Sequence, residues 1–140
     1  MNEQIQFELV SPEEKLVSQP VKMAVIPGEE GEIGVGAGHM SLVSSLKPGV
    51  LKLYESTADS KPRRIFIAGG FADITGTNCT VLAEEATDVK NLKQAEIEQK
   101  IKDLNEDLTM AQEPADKARI NARLIVEKAK IQAITGKIAA

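Results

Sequence analysis

Apolar and polar residues alternate in short runs over residues 1–88, which is the period of strands with one buried face. In the first run, Ile5, Phe7 and Leu9 share one face, and Gln6 and Glu8 share the other. Turn residues separate the runs, and no helical period lies among them. The later runs are Leu16–Val17, Val21–Ile26, Val50–Tyr54, Arg64–Ala68, Phe71–Thr75 and Cys79–Glu84. Residues 1–88 are therefore predicted to form a flattened antiparallel β-sandwich domain of about ten strands.

The apolar period changes to that of a helix beyond residue 88. Asn91 and Gln94 predict a capping box at a helix start, and Pro114 separates two helical stretches. The second helix is expected from about Ala115 to Lys137, with Gly136 as its stop. One apolar stripe follows the first helix, at Ile97, Ile101, Leu104, Leu108 and Ala111. Residues 89–140 are thus predicted to be an antiparallel two-helix hairpin domain, which makes the fold class α+β.

The second helix carries two apolar rows. The slim row is Ala118, Ala122, Ile125 and Ala129. Because small residues permit close approach of two helices, we expect this row to pack on the first helix. The bulkier row is Ile120, Leu124, Ile131, Ile134 and Ile138. The bulkier row has two interpretations: it packs on the β domain, or it detaches and binds a partner.

Charge is divided unevenly between the two parts. Residues 1–89 contain 7 Lys/Arg and 13 Asp/Glu, whereas residues 90–140 contain 10 and 8. The last helix, within residues 115–138, has 6 basic and 2 acidic residues. Aromatic residues make up only 3% of the sequence, so we expect a thin core of aliphatic side chains. A basic helix on an acidic domain favours protein partners of complementary charge.

Candidate chemistry is sparse. Single Cys79 and His39 residues exclude the usual Cys/His zinc site, and no cofactor or metal ion is expected. The glycines between Gly31 and Gly38 lack the ending of a phosphate-binding loop. No catalytic constellation and no nucleic-acid motif is found. No apolar run reaches membrane-spanning length and the start does not resemble a signal peptide, so a soluble protein is expected.

The segment from Gly28 to Gly49, GEEGEIGVGAGHMSLVSSLKPG, closely resembles the epsilon-subunit family of F-type ATP synthases. The matching elements are Gly28, Gly31, Gly34, Val35, Gly38-His39, Leu42-Val43 and Pro48-Gly49. Phe7–Ser11, Ile67–Phe71 and Thr80–Glu84 extend the likeness over nearly the whole sequence. Ala37 and Ser41 depart from it, because the family usually has Pro at the first position and often at the second.

This resemblance implies a non-catalytic subunit of the central stalk, or rotor. Such a subunit would bind the gamma subunit and the ring of membrane c subunits, and would couple proton flow to ATP synthesis. It would lie at the cytoplasmic face of the bacterial inner membrane, attached only through the complex. The resemblance implies two arrangements for the helical hairpin: it lies folded on the β domain, or it extends along gamma, where it would contact the alpha/beta hexamer and impede ATP hydrolysis.

The resemblance also implies which residues bind which partner. Glu29, Glu30, Gly31 and Glu32 correspond to the loop that contacts the c ring. Ser11, His39 and Val43 correspond to the region that faces gamma. On the basic last helix, Arg119, Arg123 and Lys130 would suit an acidic surface of the beta subunits.

Two further hypotheses bear on function. The ATP-binding members of the family carry an Asp and an Arg at the start of the first helix. Lys93 and Glu96 stand at those positions here, so no ATP site of that kind is expected. The alternative function is a stand-alone β-sandwich adaptor whose helical hairpin recruits another protein.

Overall fold

The computed structural model describes residues 4–55 and 61–136, and the protein divides into two compact units. The first unit, Met1–Asp88, is called the β head, and the second, Val89–Ala140, the helical hairpin. The strands of the head are β1 Ile5–Val10, β2 Lys15–Val21, β3 Met23–Gly28, β4 Gly31–Val35, β5 Leu42–Ser45, β6 Gly49–Tyr54, β7 Arg63–Ile74 and β8 Asn78–Asp88. The hairpin has a short 3-10 helix, Val89–Asn91, followed by α1 Gln94–Met110 and α2 Pro114–Thr135.

The strands of the head form one continuous network that folds over a shared core. Their order is β2-β1-β8-β7-β6-β3-β4, and β5 pairs with the second half of β7. Inward side chains from both parts of the network, including Phe7, Leu51 and Ile74, are fully buried together. The α+β class, with a β-sandwich followed by two helices, is confirmed.

One pair of neighbouring strands is parallel, whereas the sequence predicted an antiparallel sandwich throughout. β1 runs parallel to β8, with Phe7 opposite Cys79. Parallel neighbours need a long connection, and almost the whole head lies between these two strands. Alternation along a single strand gives its buried face but not the direction of a distant neighbour.

The structure has eight strands within the described residues, not about ten, because glycine and proline interrupt fewer strands than expected. β7 continues through Gly69 and Gly70, where φ is +75° and +113°, so two predicted strands are one. β2 continues through Pro20, which an edge strand tolerates because its missing N–H faces no neighbour. The predicted strand over Val21–Ile26 is divided at Lys22 instead.

The start of the first helix also differs from its prediction. Asn91 ends the 3-10 helix, and Lys93 occupies the N-cap of α1 without a side-chain bond. The prediction of a capping box formed by Asn91 and Gln94 is therefore wrong. The other boundaries agree closely: Pro114 is the first residue of α2, and Gly136 ends it in the left-handed conformation, with its N–H bonded to the Gln132 carbonyl at 2.7 Å.

The two helices pack against each other, with the expected stripe of α1 less exposed than the rest of that helix. On α2 the prediction that the slim row is the packed one is wrong. Ala118, Ala122 and Ile125 are exposed, whereas the bulkier Ile120, Leu124 and Ile131 are buried. Burying an Ile or Leu side chain contributes about 1.5–3 kcal/mol, far more than an Ala methyl group, so apolar area outweighs close approach. Lys137, Ile138 and residues 56–60 lie outside the described residues.

The double glycine of β7 leads to a stability prediction. A Cβ atom at Gly70 would lie 1.9 Å from the Leu82 carbonyl oxygen of β8, and the φ of +113° disfavours any other residue. We expect Gly70→Ala to lower the free energy of unfolding of the head by about 3 kcal/mol or more, from strain and overpacking together. Urea unfolding followed by the fluorescence of Tyr54, the single tyrosine, reports on the head.

Gly34→Ala in β4 is the matched control. Its new methyl group would meet only the Met23 sulfur at 3.8 Å, and its φ is not in the left-handed region. We expect a change within about 1 kcal/mol. Equal urea midpoints for the two variants would contradict the proposed role of Gly70.

Candidate functional site

The acidic turn of the head is the connection between β3 and β4. Glu29 and Glu30 form its exposed tip, and Gly28 pairs with Gly31 at its base. Glu32 follows in β4, where its carboxylate lies 3.8 Å from the ammonium group of Lys52. Both side chains are substantially exposed, so this ion pair contributes little to stability. The turn therefore presents its carboxylates to solvent in a fixed hairpin geometry.

The acidic turn lies directly against β5, which the sequence did not show. The backbone N–H of Glu29 donates to the Ser45 carbonyl at 3.1 Å, and Gly28 forms a bridge with Leu46. Between them lies a groove of about 450 Å³ that is lined by residues 28–33 and 42–45. The groove thus brings the predicted ring-binding residues, Glu29–Glu32, next to Val43, a predicted gamma-binding residue.

Apolar side chains on four neighbouring strands form one surface on the outward face of the sheet. We call this surface the outer patch, and it consists of Val10, Val43, Phe71 and Leu82. Val10, Leu82 and Phe71 lie opposite one another on β1, β8 and β7, and Val43 lies diagonally beyond Phe71 on β5. Val43 is 68% exposed and Phe71 49%. Side chains paired in this way across strands form a contiguous surface. An exposed aromatic residue among aliphatic ones is typical of the centre of a protein interface.

Acidic groups border the outer patch. Asp73 is opposite Val43, Glu84 follows Leu82 by two positions, and Glu8 precedes Val10 by two positions on β1. Of these three carboxylates, only that of Glu8 takes part in an ion pair found within the described residues. Its partner is the Lys15 ammonium group, at 3.0 Å. A partner with an apolar centre and basic surroundings would complement this surface.

The other two predicted gamma-binding residues lie at the borders of the same layer. Ser11 directly follows Val10, and its hydroxyl oxygen accepts from the Glu14 N–H at 3.3 Å. His39 lies in the loop before β5, with its Nδ1 2.7 Å from the Met40 carbonyl oxygen. That loop is joined to the β7–β8 turn by the Gly38 N–H, which donates to the Gly76 carbonyl at 2.8 Å.

The three predicted cations of α2 have unequal exposure. Arg119 is exposed, 3.9 Å from Asp116, whereas Arg123 is half-buried and bonded to Glu127 at 2.7 Å. The Lys130 side chain is only 7% exposed, and its ammonium group lies 3.1 Å from the same carboxylate. Arg119 is therefore the one of the three that this arrangement presents fully to solvent. Lys93 and Glu96 are both exposed at the start of α1.

Other candidate chemistry is limited. Burial raises the pKa of the Cys79 thiol to about 12, with a further contribution from the Asp73 charge, so the thiol is unreactive in the folded head. Within residues 4–55 and 61–136, no group of three His, Cys, Asp or Glu residues is arranged to hold a metal ion. No helix in the described part of the protein is both long and apolar enough to cross a membrane.

Sequence reasoning missed Phe71 and Leu82 as surface residues, although a signal was present. In β8 the buried residues are Cys79, Val81 and Ala83, so Leu82 falls on the polar phase between Thr80 and Glu84. Val10 likewise follows Gln6 and Glu8 on the outward phase of β1. A single apolar residue on the outward face of a strand is ordinary, but several that adjoin on neighbouring strands indicate an interaction surface.

Comparisons with known proteins agree with both units. The profile of the family described as "ATP synthase, Delta/Epsilon chain, beta-sandwich domain" matches residues 4–89. A second profile, that of the C-terminal domain of the ATP synthase epsilon subunit, matches residues 94–140. The ATP synthase epsilon subunit of Rhodospirillum centenum is 42% identical over 98% of this protein and 96% of its own length. That of Rhodospirillum rubrum is 39% identical over 97% and 100%.

Solved structures show the same fold. One polypeptide in the cryo-EM structure of the Euglena gracilis mitochondrial ATP synthase has a TM-score of 0.81 at 24% identity, over 94% of this protein and 81% of that one. Another, from a structure of the central stalk and c ring of the Tetrahymena thermophila mitochondrial enzyme, has a TM-score of 0.63 at 14% identity. With both domain profiles matched in order and full-length relatives near 40% identity, the protein belongs to the ATP synthase delta/epsilon family.

Proposed function

We propose that this protein is the non-catalytic central-stalk subunit of an F-type ATP synthase and that it couples transmembrane proton flow to ATP synthesis. Family membership over both units supports an ATP synthase subunit. The similar polypeptides belong to solved structures that contain a c ring, and one of these structures is that of a central stalk with its c ring. The observation that carries the proposal is the outer patch, because a coupling subunit needs a surface that binds another rotor subunit firmly.

The outer patch is the proposed contact with the gamma subunit. Removing a Phe, Leu or Val side chain from water contributes about 1.5–3 kcal/mol each. Phe71 and Leu82 lie side by side, so both would be covered by a single segment of gamma. Val43 is part of this surface, and Ser11 and His39 lie at its borders and would complete the contact.

The acidic turn is the proposed contact with the c ring. Glu29, Glu30 and Glu32 would attract polar or basic loops of the ring, and Gly31 permits the positive φ of +141° that the turn adopts. Backbone hydrogen bonds connect the turn to β5, and β5 is paired with β7. A torque applied at the turn would therefore reach the outer patch through a hydrogen-bonded sheet, with no flexible linker between the two contacts.

The helical hairpin, the domain beyond residue 88, has a proposed regulatory role. Arg119, Arg123 and Lys130 would bind an acidic surface of the beta subunits in the alpha/beta hexamer and so restrain ATP hydrolysis. Lys130 would first have to leave its buried position. No ATP site is proposed, because Lys93 and Glu96 reverse the two charges of the ATP-binding members. The complex would place the subunit at the cytoplasmic face of the bacterial inner membrane, with no nucleic-acid partner.

Binding to purified gamma tests the outer patch. We expect the double variant Phe71→Ser, Leu82→Ser to weaken binding by about 100-fold or more, because two large apolar contacts are lost. Calorimetry gives the dissociation constants. The control is Met23→Ser, which removes an exposed apolar side chain of β3 outside the outer patch.

The control variant should bind gamma within about threefold of the unchanged protein, as expected for a residue outside the contact. Equal binding by the double variant would remove the outer patch from the gamma contact. If the unchanged protein forms no complex with gamma at micromolar concentration, the adaptor function replaces the proposed one.

Crosslinking in the assembled complex tests the acidic turn. Glu32→Cys is expected to give a crosslinked product with the c subunit, whereas Glu13→Cys, in the exposed β1–β2 turn, is not. Cys79 adds no background because it is buried. A c-subunit product from Glu13→Cys alone would place the ring contact elsewhere on the head.

Deleting residues 90–140 tests the division of roles. We expect the assembled complex to retain gamma binding and proton pumping, since both proposed rotor contacts lie in the head, and to hydrolyse ATP faster. Hydrolysis and pumping are measured on the same membrane vesicles. Loss of pumping would place rotor contacts in the hairpin, and an unchanged hydrolysis rate would remove its inhibitory role.

A further inference from the structure

A charged residue interrupts the buried stripe of α2. Ile120, Leu124, Glu127 and Ile131 follow one another at spacings of four, three and four residues, and all four are buried. Glu127 is the least exposed of them, at 0%. Carboxylates are almost never fully buried unless they are well paired, so the partners of Glu127 decide what it does there.

Glu127 has its ion-pair partners on its own helix. Its Oε2 atom lies 2.7 Å from an Arg123 guanidinium nitrogen and 3.1 Å from the Lys130 ammonium nitrogen. Its Oε1 atom is buried and has no hydrogen-bond partner among the described residues. Lys100 and Asp103 of α1 line a cleft of about 280 Å³ with Glu127, but neither forms an ion pair with it. The carboxylate therefore does not connect α2 to α1.

This arrangement makes burial of the carboxylate unfavourable. Both ion pairs join residues three or four positions apart on one helix, so they remain available when α2 is surrounded by water. Packing therefore removes water from the carboxylate and supplies no new partner to Oε1 in return. Arg123 and Lys130 make further interactions of their own, but none of these satisfies Oε1.

We propose that Glu127 is a positioning residue that weakens the packing of α2. It thereby sets how readily this helix separates from the side chains that bury its apolar stripe. Separation exposes Ile120, Leu124 and Ile131 together with the Lys130 ammonium group. These groups form a surface with apolar and basic character, suited to an apolar, acidic partner. The use of this surface to restrain hydrolysis rests on the proposed function, whereas the effect of Glu127 on separation is a property of the free protein.

Amide hydrogen exchange of the full-length protein, without any partner, reports this separation, because a helix without its packing partner is only marginally stable in water and its amides then exchange. The comparison is between Lys130→Met and the double variant Glu127→Leu, Lys130→Met, so that the loss of Glu127 does not leave a buried ammonium group. We expect exchange within residues 117–133 to be at least about fivefold slower in the double variant, because the apolar stripe becomes continuous. Mass spectrometry of peptides from this range gives the rates.

The control applies the same two changes to an exposed pair with the same spacing. Asp116→Leu, Arg119→Met is compared with Arg119→Met, and its exchange rate should agree within about twofold. Peptides from β7 confirm that the head is intact in every variant. Exchange that is unchanged or faster in the Glu127→Leu double variant overturns the proposal, and loss of α2 protection in that variant also does so. Neither result bears on gamma binding, which is measured separately.

Discussion

The head depends on the close approach of β7 and β8 at Gly70. These strands pair from Ile65 opposite Asp88 to Ile74 opposite Cys79 without a change of register. Only glycine allows this, because a Cβ at residue 70 would overlap the Leu82 carbonyl. The first half of β7 then pairs with β6 and its second half with β5, so one strand belongs to both parts of the sheet. The same contact places Phe71 beside Leu82 on the outward face, and the outer patch follows from it.

The two units depart from their hydrophobic patterns in opposite ways. In the head, Val10 and Leu82 are apolar residues on outward positions of their strands. In the hairpin, Glu127 is a charged residue on an inward position of its helix. Exceptions of this kind to the hydrophobic pattern tend to mark functional positions. The outward apolar residues suit the proposed contact with gamma, whereas the inward charge suits the proposed separation of α2.

The sequence predicted the features that depend on the local hydrophobic period, such as the positions of strands and helices. It missed the features that depend on contacts between segments distant in the sequence. Alternation located most strands, and the break near residue 89 located the helices. Gly69 and Gly70 do not signal by themselves whether they end a strand or let it bend, because the answer lies in the backbone of β8. The position of β5 against the acidic turn is likewise a contact between segments that sequence period cannot relate. On α2, the slim and bulkier rows were both visible, but only the packed structure shows which of them is buried.

The proposed rigid head and the proposed loosely held helix are compatible in one protein because different interactions stabilise them. The acidic turn, β5 and β7 are joined by backbone hydrogen bonds, and inward aliphatic side chains fill the space behind them. A closely packed core of this kind resists deformation, which a part that transmits torque requires. The packing of α2 instead balances the buried side chains of Ile120, Leu124 and Ile131 against the Glu127 carboxylate, which has an unsatisfied oxygen. A small change at Glu127 would shift that balance while leaving the strand pairing of the head untouched, so the two properties can vary independently.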